Sequence, residues 1–325
     1  MKIRTPRHDW QSYKFGTISL CMIMRDDAKV LSRCLDSIVG LVDEIIIVDT
    51  GSKDNSVEIA RSYGAKVYFD PWQDDFARPR NIGLKQATGQ WILIMDPDET
   101  ISREHHKDLK WLTRAKNFDA FWITTNNYGP YTYKIDYKFV PKGGDPLGKY
   151  EGFTPSTKTR FFKNGLGIVF EGCWHELVDY YIKRKGIRQG SAPIPVHHWV
   201  GEISQASRKA KSKFYLAMGE KKTREQPRDG QAHWELATAE MIAGLRDRAS
   251  KSLVKAWRLG FNVVAQYYGL SRCQRLEGNA EMADLAFEKG VCAQYPALTH
   301  IDPEKRPLSV MLDSIDHPKK DPYAR

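Results

Sequence analysis

Two carboxylates separated by a single proline, Asp96-Pro97-Asp98, stand directly after the apolar run Trp91-Ile-Leu-Ile-Met95, with Glu99 behind them. A small number of hard oxygen donors suits Mg2+ or Mn2+ shared with a phosphate-bearing substrate better than a cage built by protein alone. Pro97 lacks an N–H and fixes one φ, which restricts how the two acids can turn. An Asp-x-Asp pair is also a common solvated turn, so it gains weight only beside a second acid from elsewhere in the chain. Asp49 is that acid: it closes the run Glu44-Ile-Ile-Ile-Val48 and precedes Thr50-Gly-Ser52. Asp54 and Ser56, a few residues on, read instead as helix caps.

The elements around these acids follow from hydrophobic periodicity. The runs over 17–24, 44–48 and 91–95 have the length and predominant apolarity of strands buried on both faces. Val30, Leu31, Cys34, Leu35 and Ile38 recur at helical spacing, a second helix is predicted over 56–63, and a short strand over 66–69. Strand alternating with helix predicts an α/β fold with a parallel, doubly wound sheet. Asp49 and Asp96 then leave carboxyl ends on one sheet edge, where open α/β sheets bind their ligands.

Taken in order, Cys21-Met-Ile-Met-Arg-Asp26, Val48-Asp-Thr-Gly-Ser-Lys-Asp54, Trp72-Gln-Asp-Asp-Phe76, Arg80-Asn81, Ala87-Thr-Gly-Gln-Trp-Ile92 and Asp96-Pro-Asp-Glu99 resemble the nucleotide-sugar domain of family 2 glycosyltransferases. Arg160-Phe-Phe-Lys163, Phe170-Glu-Gly-Cys-Trp-His-Glu176 and His197-His-Trp199 resemble the acceptor-side half of one branch of that family. That branch includes lipopolysaccharide-core glucosyltransferases and the peptide S-glycosyltransferases of glycosylated bacteriocins. The resemblance implies a Rossmann-like GT-A domain with a mostly parallel sheet over residues 17–205. It also implies metal-dependent, inverting transfer from a nucleoside-diphosphate sugar, with UDP the expected nucleotide, to a hydroxyl or thiol of a glycan, glycolipid or peptide.

The same resemblance distributes roles. Cys21, Met22, Arg25, Asp49, Asp75, Arg80, Asp96 and Arg160 fall to the donor, with Asp49 at the uracil or ribose and Arg80 as a positive fork on the diphosphate. Asp96 and Asp98, with His198 or His197, fall to Mn2+ or Mg2+. Glu176 is the expected general base, with His175 orienting it or approaching the metal, and Glu171, Asp98 and Glu99 are rivals for the base. Bland readings stand beside these. Arg80 could be a surface arginine, His197-His198 could be a surface pair or have one member buried and hydrogen-bonded, and Trp72 and Phe76 could serve only to anchor the loop that carries Asp75. Tyr128, Tyr131, Tyr133, Tyr137 and Tyr150 could face a sugar or fill a core.

Past about residue 204 the character changes. A basic helical stretch over 207–228 precedes a repeat of period thirty-four, in which Leu236, Gly244, Ala249, Leu253 and Ala256 are followed by Leu270, Gly278, Ala283, Phe287 and Gly290. Small residues at those places let paired helices approach, as in tetratricopeptide repeats. The expected layout is a tail over 1–16, the catalytic domain over 17–205, a helical domain over 206–300 with repeat units at 230–263 and 264–297, and a tail over 301–325. Such repeats offer a peptide groove or a homodimer surface, or cap the core.

With 41% hydrophobic residues in 325, the chain can support one large domain and a smaller one. Five scattered cysteines without a Cys-x-x-Cys pair fit reduced thiols and a cytoplasmic setting. No apolar run approaches the ~18 residues of a membrane span, which leaves peripheral contact with the inner membrane face as the membrane option. A net charge of +10 suits an anionic partner: sugar nucleotide, acidic lipid or nucleic acid. Three other functions share these features: transfer to modified DNA, nucleotidyl transfer or nucleotide-sugar hydrolysis, and a non-catalytic peptide-binding scaffold. Neither nucleotidyl transfer nor hydrolysis needs an acceptor half, and a scaffold has no use for the retained acids.

Overall fold

A computed structural model describes residues 14–129, 138–139, 145–199 and 205–261. Contacts divide the chain into two units, with the boundary between Gly201 and Glu202.

The first unit is built on one sheet. Its N-terminal half runs β1 (Ile18–Met24), α1 (Ala28–Ile38), β2 (Glu44–Asp49), α2 (Ser56–Ser62), β3 (Lys66–Phe69), α3 (Ala77–Gln86) and β4 (Trp91–Ile94). The four strands are parallel, in the order β3-β2-β1-β4. The chain therefore winds outward from β1 to β3 and then returns to the other side of β1. That reversal puts the topological switch point between β1 and β4, where a crevice opens at the carboxyl ends. Leu31, Cys34, Leu35 and Ile38 of α1 pack with Ile18, Leu20, Met22 and Met24 on one sheet face. Cys21 and Ile94 meet Ala77 and Leu84 of α3 on the other. Period 2 in the strands and 3.6 in the helices produce these two layers directly.

Gly89 is fixed by close approach rather than by conformation. A Cβ there would lie 2.6 Å from Ser19 Oγ and 2.7 Å from Ser19 N, and Gly89 N–H donates to that hydroxyl at 2.8 Å.

Beyond β4 the sheet becomes mixed, through β5 (Glu99–Thr100), β6 (Ala120–Tyr128), β7 (Lys138–Phe139), β8 (Gly152–Lys163) and β9 (Gln189–Trp199), with α4 (His106–Leu112) and α5 (Asp179–Lys185) between them. β8 pairs antiparallel with β4 and β6, while β9 pairs parallel with β6 and antiparallel with β5. The α/β class expected from the sequence is present, and its parallel half coincides with the strands read from periodicity. The antiparallel extension is an addition. It carries Arg160 under the Asp96 turn and brings the two histidines of β9 against β5. Phe15 packs edge-on against Trp111, and Arg114 donates to the Lys14 carbonyl at 2.9 Å, so the end of the expected N-terminal tail lies on the domain.

The second unit contains α6 (Gln205–Glu225), α7 (Gly230–Ile242) and α8 (Arg246–Arg258). The α7–α8 hairpin turns at Gly244, whose φ of 77° is the left-handed conformation that glycine tolerates best. Ala237, Ala249 and Leu253 pack at its centre. Lys222 donates to Glu235 at 2.6 Å in a buried ion pair that joins α6 to α7. The expected second unit over 264–297, the tail over 301–325, and Tyr131, Tyr133 and Tyr137 lie outside the described residues. Among the described residues no helix is long and apolar enough to cross a membrane.

Candidate active site

Strand register assembles the site. Met24 is level with Asp49, and Cys21 with Ile94, so the segments leaving β1, β2 and β4 emerge on one edge. The loops after β1 and β2 are joined by hydrogen bonds from Asp26 N–H to Ser52 Oγ, Asp27 N–H to Ser56 Oγ, Ala28 N–H to Asp54 and Lys53 N–H to Asp26. Asp49 is buried and accepts from the N–H groups of Gly51 and Ser52 at 3.0–3.2 Å, which shapes the Thr50-Gly-Ser turn beside the crevice. Arg25 is exposed at the same rim.

The Asp-Pro-Asp turn rests on a buried ion pair. Arg160 and Glu99, 1% and 2% exposed, meet through both guanidinium Nη atoms at 2.7 and 2.5 Å. Glu99 Oε2 also accepts from Asp96 N–H at 2.9 Å. Arg160 is therefore a foundation of the turn and not a donor contact, because its charge is spent on Glu99 beneath the surface. The same pairing removes Glu99 from the rivals for general base. Breaking a buried pair strands the surviving charge, so Arg160→Leu is expected to cost about 3–5 kcal/mol. Chemical denaturation measures it, and a loss below ~1 kcal/mol, the level of an exposed pair, contradicts the assignment.

The two acids of the turn face different neighbours. Asp98 Oδ2 lies 3.1 Å from His198 Nε2, and His198 Nδ1 lies 2.9 Å from Asn127 Oδ1. Register explains this: β5 sets Glu99 opposite His198, and β6 sets Asn127 opposite the same residue. Asn127 thus holds Nδ1–H and leaves Nε2 directed at Asp98, the outer-shell pattern that fixes a metal-ligating tautomer. Burial disfavours the imidazolium, but the Asp98 hydrogen bond and the charges of Asp98, Glu99 and Asp96 outweigh it and raise the His198 pKa.

His197 points the other way, as alternation along a strand demands. It is buried, stacked on Tyr128, and within 2.9 Å of the Tyr128 hydroxyl and 3.2 Å of Ser102 Oγ. It is a core residue and not a metal ligand, and Tyr128 is core beside it.

Asp96 turns to cations. Arg80 Nη2 donates to Asp96 Oδ1 at 2.7 Å, and Lys158 Nζ lies 4.0 Å from Oδ2. Burial opposes ionisation there, yet Arg80, then Lys158 and Arg160, hold the Asp96 carboxyl far below the usual range. Arg80 Nε donates to Glu176 Oε1 at 2.5 Å, so one buried arginine joins the acid turn to the loop before α5. Asn81, the next residue, clamps the loop that carries Glu176: its side chain donates to Phe170 O at 3.0 Å and accepts from Phe170 N at 2.8 Å. Phe76 N–H donates to Cys173 O at 2.9 Å and pins the same loop further along. His175 is exposed beside Glu176, with a left-handed φ of 51°. Glu171 is bound instead to Arg184 of α5, which lowers its pKa.

Several expected donor contacts take structural parts. Cys21 and Met22 lie mid-strand with their side chains in the two core layers, and burial, with the Glu44 charge behind it, pushes the Cys21 thiol up to about 12. Asp75 accepts from Arg78 N–H at 3.1 Å at the start of α3, while Trp72 and Phe76 pack at 4.6 Å and anchor the loop.

Sequence reasoning passed over Asp27, Lys158 and Asn127. Burial, opposed by a hydrogen bond from Arg25 N–H, then the charges of Asp98, Asp54 and Asp96, push the Asp27 carboxyl up to about 6. Lys158 precedes Arg160 by two on β8 and shares its face, a signal that period 2 carries once the strand is known.

The residues fit a divalent cation at Asp98 and His198. A carboxylate oxygen and an imidazole nitrogen converge at 3.1 Å, both side chains are partly exposed, and like charge crowds the edge. Among the described residues no group of three His, Cys, Asp or Glu side chains stands ready as a cage, so phosphate and water must complete the shell, as is usual for Mg2+.

A parallel half-sheet with acids at its switch point and a pinned loop opposite them makes an α/β domain with a crevice at its carboxyl edge. Residues 19–176 match the family described as Glycosyl transferase family 2. A TPR repeat-containing protein of Synechococcus elongatus is 36% identical over 162 residues, 50% of this chain and 35% of its own. An uncharacterized glycosyltransferase of Rickettsia felis is 32% identical over 32% of this chain and 36% of its own. The SPbeta prophage-derived glycosyltransferase SunS of Bacillus subtilis is 26% identical over 49% and 34%. The chain thus spans about a third of the length of each of these relatives. Among solved structures, S. aureus TarS 1-349 in complex with UDP-GlcNAc aligns with 85% of this chain and 88% of its own, at 16% identity and a TM-score of 0.45.

Proposed function

We propose that the chain is a metal-dependent, inverting glycosyltransferase that moves a sugar from a nucleoside-diphosphate sugar, in the first instance a UDP-sugar, to a hydroxyl or thiol. The observation that carries this reading is the convergence of Asp98 and His198 on one point of the switch-point edge, with Arg80 and Glu176 beside it. Asp98 and His198 would hold Mn2+ or Mg2+. When bound, the ion supplies Lewis-acid stabilisation of the departing diphosphate. Arg80 and Lys158 place positive charge by the same leaving group, and Asp49 shapes the turn that borders the nucleotide. Glu176 takes the proton of the attacking acceptor group, a role in which a carboxylate works by proximity and alignment. The acceptor-side motifs and the helical hairpin support a glycan, glycolipid or peptide acceptor.

Metal loading is expected to be pH-linked. In the metal-free protein the charged His198 pair stabilises the fold fully below the ordinary imidazole value and loses that contribution as pH rises through the raised one. Mn2+ needs the neutral ring, so its affinity should rise over the same window with release of up to one proton per ion. Calorimetry in buffers of different ionisation heat counts that proton, and affinity independent of pH from 5.5 to 8 contradicts a His198 ligand.

Activity is tested by incubating the full chain with a panel of UDP-, GDP- and TDP-sugars and Mn2+ and reading nucleotide release by mass spectrometry. Release of one nucleoside diphosphate, abolished by EDTA, is expected. Equal release in EDTA rejects the metal, and neither release nor nucleotide binding across the panel rejects the donor class.

A further inference from the structure

We propose that Arg80 is a positioning residue that couples donor binding to the general base: without nucleotide it holds Glu176, and an arriving nucleoside diphosphate competes with Glu176 for the guanidinium. The inference rests on the proposed donor and base roles and adds the link between them.

Three residues from distant parts of the chain meet here. Arg80 comes from α3, Asp96 from the turn after β4, and Glu176 from the loop before α5, with Nε–Oε1 at 2.5 Å and Nη2–Oδ1 at 2.7 Å. The guanidinium is buried and lies over the Phe170 ring at 5.3 Å. Its Nη1 is also buried and has no acceptor among the described residues. Of its five N–H donors, the one on Nε and one on Nη2 meet carboxylates, while the two on Nη1 have no acceptor among the described residues. A phosphate oxygen is the acceptor such a fork matches.

Nη1 cannot be reached where it stands. Presenting it to the crevice requires the planar group to turn, and because its donors point in fixed directions, turning breaks one of the existing pairs. Asp96 is the anchored partner, since Glu99, itself paired with Arg160, accepts from its backbone N–H. Glu176 sits instead in the short segment between the bridged residues Glu171 and Leu177, next to the left-handed His175. Glu176 is thus the partner that lets go.

Competition makes a prediction of unusual sign. Removing the charge of the base should tighten nucleotide binding, because linkage is reciprocal. With UDP, GDP or dTDP and Mg2+ as probes, Glu176→Gln is expected to lower Kd about fivefold or more, within the usual range for coupled sites. In an Arg80→Gln background the same change should do nothing. A Kd unchanged or raised by Glu176→Gln overturns the coupling. Equal tightening with and without Arg80 also overturns it, since that is plain repulsion between Glu176 and the ligand. The Arg80 Nε–H resonance of the wild-type chain, assigned by through-bond correlation along its own side chain, gives a readout that does not depend on a buried variant folding. It should shift on adding Mg2+ and nucleotide, and an unmoved signal under saturation contradicts the exchange. If the wild-type chain binds none of the three nucleotides, the donor reading fails and the coupling with it. If Glu176→Gln tightens binding but leaves transfer intact, the base reading alone fails.

Discussion

Replacing Glu176 by Gln is expected to slow sugar transfer by about 10²–10⁴-fold, the usual contribution of a general base. The substitution keeps the shape of the side chain and removes only its charge, so the Asn81 clamp on Phe170 and the Phe76–Cys173 contact should keep the loop in place. Nucleotide binding must survive for the result to bear on chemistry. Rates with a fixed donor and acceptor, measured beside nucleotide affinity, separate the two. Near-normal turnover would strip Glu176 of the role. Of its rivals, Glu99 is locked to Arg160 beneath the surface, Glu171 pairs with Arg184 of α5, and Asp98 faces His198.

The second large effect is expected at Asp98. Asp98→Asn removes a hard anionic ligand and also the carboxylate that raises the His198 pKa. If the ion supplies several kcal/mol to the departing diphosphate, turnover should drop by about 10²–10³-fold or more. Metal affinity should fall with it, and excess Mn2+ should recover part of the loss. Asn127→Ala should weaken metal about 10–100-fold, since it frees the ring that Asn127 orients. A variant at Asp98 that turns over normally and ignores chelator is incompatible with a metal at this position.

Much of the positioning scaffold was legible in the sequence for a simple reason. β1, β2 and β4 are largely buried on both faces, so they read as mainly apolar runs, and α1 shows its single stripe as Leu31, Cys34, Leu35 and Ile38. The acids that follow such strands at a switch point are placed by topology alone. β9 was harder to see because it contains Pro193 and Pro195 and alternates polar with apolar residues. Without that strand, nothing separates His198 from His197. With it, alternation turns one ring into the core and the other to Asp98. Arg160 was misjudged on similar grounds: a motif shows that an arginine is present but not that its partner is a buried Glu99 sixty-one residues away. Asn127 and Lys158 carry no motif at all, and only register across β6, β8 and β9 brings them to the edge.

The central claim is a divalent cation held by Asp98 and His198. A crystal of the chain grown with Mn2+ and a bound nucleoside diphosphate tests it most directly through the anomalous signal of manganese. The expected map has one strong peak bonded to Asp98 Oδ2, His198 Nε2 and a diphosphate oxygen, with the Asp98–His198 hydrogen bond replaced by the ion. Nucleotide bound at the crevice with no manganese between those two side chains would contradict it.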